Sequence, residues 1–122
     1  MTQPYQIELI ESGIMRVVWD GVVNRENFSQ GVFDRKQFAD ENHLSQYVLI
    51  FDLRKAHVTV FDARLAAWSA NADPRMTHTV IIGKSSIVLV TVNVMLRLTK
   101  LQVKFVNSDD EALEHARKIV SV

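Results

Sequence analysis

The sequence predicts a mixed α/β fold with a mostly parallel sheet, and three observations carry the prediction. Two continuous apolar runs, Tyr47–Phe51 and Thr79–Gly83, are typical of strands buried on both faces. Segments with helical periodicity alternate with these runs, which is the pattern of parallel strands joined by helices. The chain also opens on a predicted hairpin, which adds antiparallel neighbours at one edge of the sheet. The expected order is β-β-α-β-α-β-α-β-α, with about five strands and about four helices.

Length and composition exclude several classes of protein. The 122 residues suit one domain, so we expect a single domain over residues 1–122. Hydrophobic residues at 48% and charged residues at 23% are ordinary for a globular chain and exclude disorder. Fourteen basic residues balance fourteen acidic ones, so no net charge attracts nucleic acid. The absence of cysteine excludes disulfides and Cys-ligated metals.

The apolar pattern of the sequence also does not predict a targeting signal or a transmembrane segment. The first residues are polar, and the first apolar stretch is interrupted by Glu8 and Glu11, so it does not resemble a signal peptide. No apolar run reaches the length of a transmembrane segment. We therefore expect a cytoplasmic protein without a transmembrane segment.

The predicted hairpin comes from the first nineteen residues. Tyr5, Ile7 and Leu9 recur at every second position, as on a strand, and Ile14–Trp19 is rich in β-branched and bulky residues. Between them lies the short turn 11–13, in which glycine is free to take positive φ. The last strand is predicted around Val103, Phe105 and Val106.

Capping residues place three helices. Asn24 is a good N-cap for a helix that frays toward residues 40–42. Asp62 caps a second helix, which closes before Asp73 and Pro74 because proline restricts the residue before it. Residues 108–111 form a capping box ahead of the terminal helix, whose apolar residues recur at helical spacing to Val120.

The segment Ser85–Lys100 admits two interpretations. Residues 90–94 alternate as in a strand, yet sixteen residues between two buried strands suit a crossover helix, which we predict. Such a helix would be apolar around most of its circumference, and a second copy of the chain would cover the outward face. We therefore expect a homodimer, with candidate contacts at Val88, Val92, Met95 and Leu96. The alternatives are cover by the chain's own helices, or a strand with one outward face.

Polar side chains follow the predicted buried strands. Ligands of open α/β sheets gather at the carboxyl ends of strands, so these side chains are candidates for binding a polar ligand. They are Asp52, Arg54, Lys55, His57, Asp62, Arg64, Lys84 and Ser85. The structural alternative is a salt bridge of Arg54 with Asp52 or Asp62, with His57 simply solvated. Residues 83–85 resemble the end of a P-loop, but His78 stands where that motif requires glycine.

No assembled catalytic or metal-binding motif occurs in the sequence. A Gly-x-Ser-x-Gly elbow and a Gly-x-Gly-x-x-Gly fingerprint are both absent. No two of the four histidines share the i, i+3 or i, i+4 spacing of a helical metal pair. We expect no cofactor, no metal and no enzymatic activity. Trp19 and Trp68 fall in apolar patterns and are predicted to lie in the core.

Four segments together resemble a known family. Residues 48–54, 62–65, 79–83 and 105–112, in this order, are similar to the SpoIIAA-like group of STAS domains, whose fold is also similar to the lipid-binding CRAL-TRIO domain. The aspartate-leucine-arginine at 52–54 and the acidic start of the last helix are the most specific matches. The resemblance implies a domain that binds protein partners or small apolar ligands.

The chain departs from this family at the regulatory serine. Anti-sigma-factor antagonists of the STAS class carry an aspartate-serine-serine-glycine motif, in which a serine is phosphorylated by a partner kinase. The matching positions here are Asp62, Ala63, Arg64 and Leu65, so only the aspartate is kept. The resemblance therefore implies the fold without the phosphoserine switch.

Three functions from different classes remain open at this point. The first is a non-enzymatic regulatory or protein-interaction domain of the STAS type. The second is a carrier of a small apolar or lipid ligand, suggested by the CRAL-TRIO likeness and the apolar segment Ile87–Leu98. The third is an enzyme, which would use Asp52, Arg54, His57 and Lys84 at one edge of the sheet.

Overall fold

The computed structural model of the chain describes residues 3–58, 68, 72–83 and 102–121. These ranges contain five strands and two helices. In chain order they are β1 (Tyr5–Glu11), β2 (Ile14–Val23), α1 (Arg25–Glu41), β3 (Tyr47–Val58), β4 (Met76–Ile82), β5 (Val103–Val106) and α2 (Asp109–Val120).

The five strands form one mixed sheet in the order β1-β2-β3-β4-β5. β1 is antiparallel to β2, and the other three pairings are parallel. The predicted fold class, a mostly parallel sheet with an N-terminal hairpin, is therefore confirmed. Two of the about four predicted helices are present in the described ranges, as α1 and α2.

The other two predicted helices fall largely outside the described residues. Of the helix predicted to begin at Asp62, only Trp68 and Ala72 are described, and both are helical. The question of helix or strand over 85–100 lies outside the described residues, as do the candidate dimer contacts Val88, Val92, Met95 and Leu96.

The hairpin of β1 and β2 sets the register of one sheet edge. Tyr5 lies opposite Trp19 and Leu9 opposite Met15, and one extra residue, Ile10, interrupts the ladder before Glu11. Gly13 has a φ of 81°, so the turn uses the positive φ that glycine adopts without strain. β1 is thus regular over its first five residues and irregular beyond them.

Each helix covers one face of the sheet. We call these the α1 face and the α2 face. The core of the α1 face contains Trp19, Tyr47 and Leu49 of the sheet and Phe28 and Val32 of α1. The core of the α2 face is built from six sheet residues and two small helix residues, namely Ile14, Val48, Ile50, Val80, Ile82, Val106, Ala112 and Ala116. β3 is buried on both faces because it supplies residues to both cores.

The predicted helix caps are present. The Asn24 side chain accepts a hydrogen bond from the Asn27 amide at 2.8 Å. Ser108 Oγ accepts one from the Glu111 amide at 3.2 Å. Each cap satisfies one of the amides that a helix leaves unpaired at its start. No helix in the described part of the chain has the length and apolar character needed to cross a membrane.

The prediction of where β3 ends was wrong. β3 was expected to end at Asp52, but it continues to Val58, because β2 also runs past Trp19 to Val23 and pairs with residues 55–58. The three charged or polar residues beyond Asp52, namely Arg54, Lys55 and His57, concealed the strand from a search for apolar runs.

The prediction that Trp68 lies in the core was also wrong. Trp19 is 1% exposed, as predicted, but Trp68 is 40% exposed. The Trp68 ring lies edge-on against Phe33 of α1, with ring centroids 6.1 Å apart, and Phe33 is itself exposed. Trp68 therefore packs on the outer surface of α1 and not between helix and sheet.

Candidate functional site

A bulge in β3 brings the described candidate residues to one face of the sheet. Val18 pairs with Asp52 and Asp20 pairs with Lys55, so β3 contains one more residue than β2 over this interval. Leu53 and Ala56 both contact the core of the α1 face. Since side chains alternate along a strand, the extra residue leaves two consecutive side chains, Arg54 and Lys55, on the α2 face. Asp52 and His57 lie on the same face by the same alternation.

Asp52 is the centre of the hydrogen bonds at this site. The residue is 4% exposed. Its Oδ1 accepts from the Arg54 amide at 3.1 Å and from Arg54 Nε at 3.0 Å. Its Oδ2 accepts from Arg54 Nη2 at 2.8 Å and from Arg16 Nη2 at 3.1 Å. The salt bridge of Arg54 with Asp52 that the sequence suggested is therefore present, and a second arginine joins it.

Both arginines extend from the sheet to the first residue of α2. Arg54 Nη2 lies 2.6 Å from Asp109 Oδ2, and Arg16 Nη2 lies 2.8 Å from Asp109 Oδ1. On the other side, Arg16 Nη1 lies 3.6 Å from Glu8 Oε1 of β1. The positive end of the α2 dipole also stabilises the negative charge of a carboxylate at position 109. We call these five residues, Glu8, Arg16, Asp52, Arg54 and Asp109, the Asp52 cluster.

The arginines fix the ionisation of Asp52. Burial disfavours the charged carboxylate and by itself would raise its pKa. The hydrogen bonds from the Arg54 side chain and amide and from Arg16 outweigh that effect and lower the pKa of Asp52 to about 2. The same carboxylates, Asp52 first and Asp109 second, raise the pKa of Arg54. Asp52 is consequently ionised at neutral pH and holds no proton to donate there.

Lys55 and His57 stand apart from this network. Both are exposed on the carboxyl-terminal half of β3, opposite Asp20 and Val22 of β2. Neither makes a hydrogen bond or ion pair with another described residue. The suggested polar cluster of His57 with Asp52 is therefore not formed. The remaining sequence candidates, Asp62, Arg64, Lys84 and Ser85, lie outside the described residues.

A second ionic cluster lies at the amino end of the parallel strands. Asp73 is 1% exposed, and its Oδ1 accepts from Arg75 Nε at 2.8 Å. The Tyr47 hydroxyl donates to Asp73 Oδ2 at 2.8 Å, and Arg75 Nη1 reaches Asp40 Oδ1 of α1 at 2.6 Å. We call Asp40, Tyr47, Asp73 and Arg75 the Asp73 cluster. It ties the end of α1 to the start of β3 and β4.

The ionisation of the Asp73 cluster follows the same rules. Burial disfavours the charge of Asp73, but hydrogen bonds from Arg75 and Tyr47 outweigh it and lower the pKa of Asp73. Burial raises the pKa of Tyr47, with the nearby Arg35 acting in the opposite direction. No group of three or more metal-ligating side chains suited to a metal ion lies in the described part of the chain.

The whole chain is similar to two solved structures. An uncharacterised DUF3478 protein with a SpoIIAA-like fold, from Shewanella loihica, superimposes with a TM-score of 0.63 over 92% of this chain and 91% of that one, at 15% identity. The anti-sigma factor antagonist SpoIIAA, in its unphosphorylated form, gives a TM-score of 0.60 over 97% and 99%, at 9% identity. The chain has the SpoIIAA-like fold. No family model matches it, and no curated protein matches its sequence.

The SpoIIAA-like fold confirms the resemblance drawn from the sequence, at the level of the fold. The described elements are the hairpin, α1, the strands of the three parallel pairings and the terminal helix. At 9% and 15% identity the likeness does not extend to individual site residues. The positions that match the serine motif, 62–65, lie outside the described residues.

Sequence reasoning missed three members of the Asp52 cluster. Arg16 and Glu8 lie on strands that were read only as a hairpin, and Asp109 was read only as part of a capping box. One signal was present, because Arg16 is a charged residue inside the β-branched run 14–19. A charge inside such a run requires a partner on the same face. Asp73 and Arg75 repeat the Asp-x-Arg spacing of 52–54, and that repeat was also overlooked.

Proposed function

We propose that this protein is a non-enzymatic regulatory or protein-interaction domain of the STAS type. The observation that carries the proposal is the internal pairing of the Asp52 cluster. Asp52 receives hydrogen bonds from two arginines, and both arginines reach on to Asp109. A carboxylate that acts as a general acid or base works best with a pKa near the working pH, whereas the arginines lower the pKa of Asp52 to about 2. The SpoIIAA-like fold supports the same reading, since one protein that shares it is an anti-sigma factor antagonist.

The proposed domain acts without a phosphoserine switch at residues 62–65. This segment, Asp62-Ala63-Arg64-Leu65, contains no hydroxyl group that a kinase could phosphorylate. A partner interaction at this site would then be governed by affinity or by the amount of protein, and not by phosphate added to that segment.

The partner surface that we propose is the carboxyl-terminal half of β3 on its α2 face. The Lys55 and His57 side chains are exposed there without partners among the described residues, and the Arg54 side chain is 41% exposed beside them. We propose that the remaining sequence candidates belong to the same surface. They are Asp62, Arg64, Lys84 and Ser85. Val22, opposite His57, adds an apolar contact that is 41% exposed.

Affinity capture with a charge-reversed variant tests the proposal. We expect the full chain, expressed in its native host, to retain a protein that is lost with the double variant Lys55→Glu, His57→Glu. Lys104→Glu, which changes another exposed lysine, on β5, is the matched control and should retain it. Loss with all variants, or with none, would count against this surface.

Native mass spectrometry of the freshly purified chain distinguishes the interaction-domain hypothesis from the carrier hypothesis. It reports the number of subunits and any ligand that stays bound. A retained lipid or other apolar molecule would favour the carrier hypothesis over the interaction-domain hypothesis. A dimer that dissociates on Val92→Lys or Met95→Lys would support the contacts expected over 87–98, which stay a prediction.

A further inference from the structure

The outer edge of β1 is an unpaired sheet edge. β1 stands first in the order of the sheet and pairs only with β2 among the described strands. Such an edge presents main-chain donors and acceptors that another strand can use. The opposite edge, β5, is only four residues long. β1 is regular from Tyr5 to Leu9, and the bulge at Ile10 limits any further ladder to that length.

We propose that the outer edge of β1 pairs antiparallel with β1 of a second copy of this chain, about a two-fold axis at Ile7. Ile7 then lies opposite Ile7 of the second copy. Leu9 lies opposite Tyr5 of the second copy, and Glu8 lies opposite Gln6. The two sheets join into one continuous sheet, and the contact closes on itself without forming a filament.

The side chains of β1 are complementary to themselves in this register. Tyr5, Ile7 and Leu9 form the row on the α1 face, so that face brings apolar residues together across the contact. Gln6 and Glu8 form the row on the α2 face, and an amide opposite a carboxylate can donate a hydrogen bond to it. No two like charges stand directly opposite each other.

Neighbouring registers lack this match. An axis at Glu8 places two carboxylates directly opposite, which is destabilising. An axis at Leu9 runs the ladder into the bulge at Ile10, and an axis at Gln6 places Glu8 and Leu9 opposite residues that precede β1. The axis at Ile7 uses the whole regular part of the strand.

The exposed parts of β1 fit the proposed contact. The Glu8 side chain is 54% exposed, and its ion pair with Arg16 is long at 3.6 Å, so its carboxylate is accessible to a second copy. Leu9 is 37% exposed, a fraction that the Tyr5 ring of the second copy would reduce. An aromatic and aliphatic pair of this kind is one of the favourable cross-strand contacts.

Single cysteines test the register directly, because the chain contains no cysteine of its own. In the proposed dimer Ile7→Cys places two thiols opposite each other, within the 4.4–6.8 Å between Cα atoms that a disulfide spans. Leu9→Cys is the matched control. Its two thiols would stand about 13 Å apart along the strands, four residues at about 3.3 Å each, which is too far to bridge.

Sedimentation equilibrium across the micromolar range comes first, and we expect a dimer for the native chain. Mild oxidation should then link Ile7→Cys into a covalent dimer and leave Leu9→Cys unlinked. Ile7→Lys should sediment as a monomer with a cooperative unfolding transition, while Phe33→Lys, on the exposed side of α1, should stay dimeric.

Three results would overturn the proposal. They are a native chain that stays monomeric throughout, a dimer in which Ile7→Cys fails to link, and equal linking of the two cysteine variants, which would indicate random collision. The cysteine pair decides the question even if Ile7→Lys does not fold. Loss of a partner protein with the Lys55 and His57 variants does not affect these results, so the two proposals fail separately.

Discussion

Asp52 and Asp73 hold their arginines in the same way at opposite ends of the sheet. In the Asp-x-Arg segments 52–54 and 73–75, Oδ1 of the aspartate accepts from the amide and from Nε of the arginine two residues on. In both, Nη2 of the same arginine donates to Oδ2, and the guanidinium then reaches a carboxylate on a helix. One local geometry has thus been used twice to fasten a helix to a strand.

The two clusters differ in what completes them. The Asp73 cluster is completed by the buried Tyr47 hydroxyl, an uncharged group, and the Arg75 side chain is only 24% exposed. The Asp52 cluster is completed by a second arginine, and its Arg54 side chain is 41% exposed. The cluster at the amino end therefore serves to hold the fold. The cluster at the carboxyl end keeps a guanidinium in contact with solvent, at the end of the sheet where α/β proteins place their ligands.

Removal of the Asp73 carboxylate should give the largest effect. Asp73→Ala leaves the buried Tyr47 hydroxyl and the Arg75 guanidinium without their acceptor, and breaking a buried ion pair costs about 3 to 5 kcal/mol. Urea denaturation monitored by tryptophan fluorescence measures the free energy of unfolding. A loss below about 1 kcal/mol would show that the two clusters do not differ in the way described.

Neutralising Asp52 should cost less and should depend on pH. The lowering of its pKa from 3.8 to about 2 corresponds to about 2 kcal/mol of stability for the native chain over Asp52→Asn at neutral pH. Because the folded-state pKa is lowered, this difference is complete above about pH 4 and disappears as the pH falls toward 2.

Urea denaturation of both proteins at a series of pH values checks the sign. Asp110→Asn is the control, since Asp110 is an exposed acid in the first turn of α2 without an ionic partner among the described residues. A difference that persists at the lowest pH would assign the effect of Asp52→Asn to altered packing and not to charge.

Tyr47→Phe tests the uncharged partner of the Asp73 cluster. The change removes the hydrogen bond to Asp73 and leaves Asp73 its bonds from Arg75, so we expect a loss of about 1 kcal/mol. The same urea experiment measures it, with Tyr5→Phe as a comparison because Tyr5 donates to the less buried Asp34. An unchanged midpoint would mean that the tyrosine contributes packing alone.

The smallest effect is expected from the exposed arm of the Asp52 cluster. Asp109→Asn removes a carboxylate whose side chain is 47% exposed, so water screens its pairing and the loss should stay below about 1 kcal/mol. The loss should shrink further at high salt. A loss as large as that of Asp52→Asn would show that α2 depends on this ion pair more than its exposure suggests.

The fold could be predicted because each buried strand is a continuous run of apolar residues in the sequence. Tyr47–Phe51 and the capping box at 108–111 each specify a local structure without reference to distant residues. The carboxyl half of β3 could not be read in this way. Its polar residues belong to a strand only because β2 extends to Val23 beside it.

The candidate site was predictable in part for a related reason. Arg54 meets Asp52 two residues away, so their pairing can be read locally. Arg16 donates to the Asp52 carboxylate from 36 residues away, and Asp109 accepts from Arg54 across 55 residues. Only the register of the sheet and the docking of α2 bring them together, and neither is visible in a short stretch of sequence.

The two alanines of α2 determine how far the charged groups have to reach. Ala112 and Ala116 are fully buried against the sheet, and their single methyl groups allow the helix backbone to approach the strands closely. A bulkier residue at either position would act as a spacer and lift the start of the helix. Asp109 would then move out of range of Arg16 and Arg54. The geometry of the most charged part of this molecule is therefore set by two of its smallest uncharged side chains.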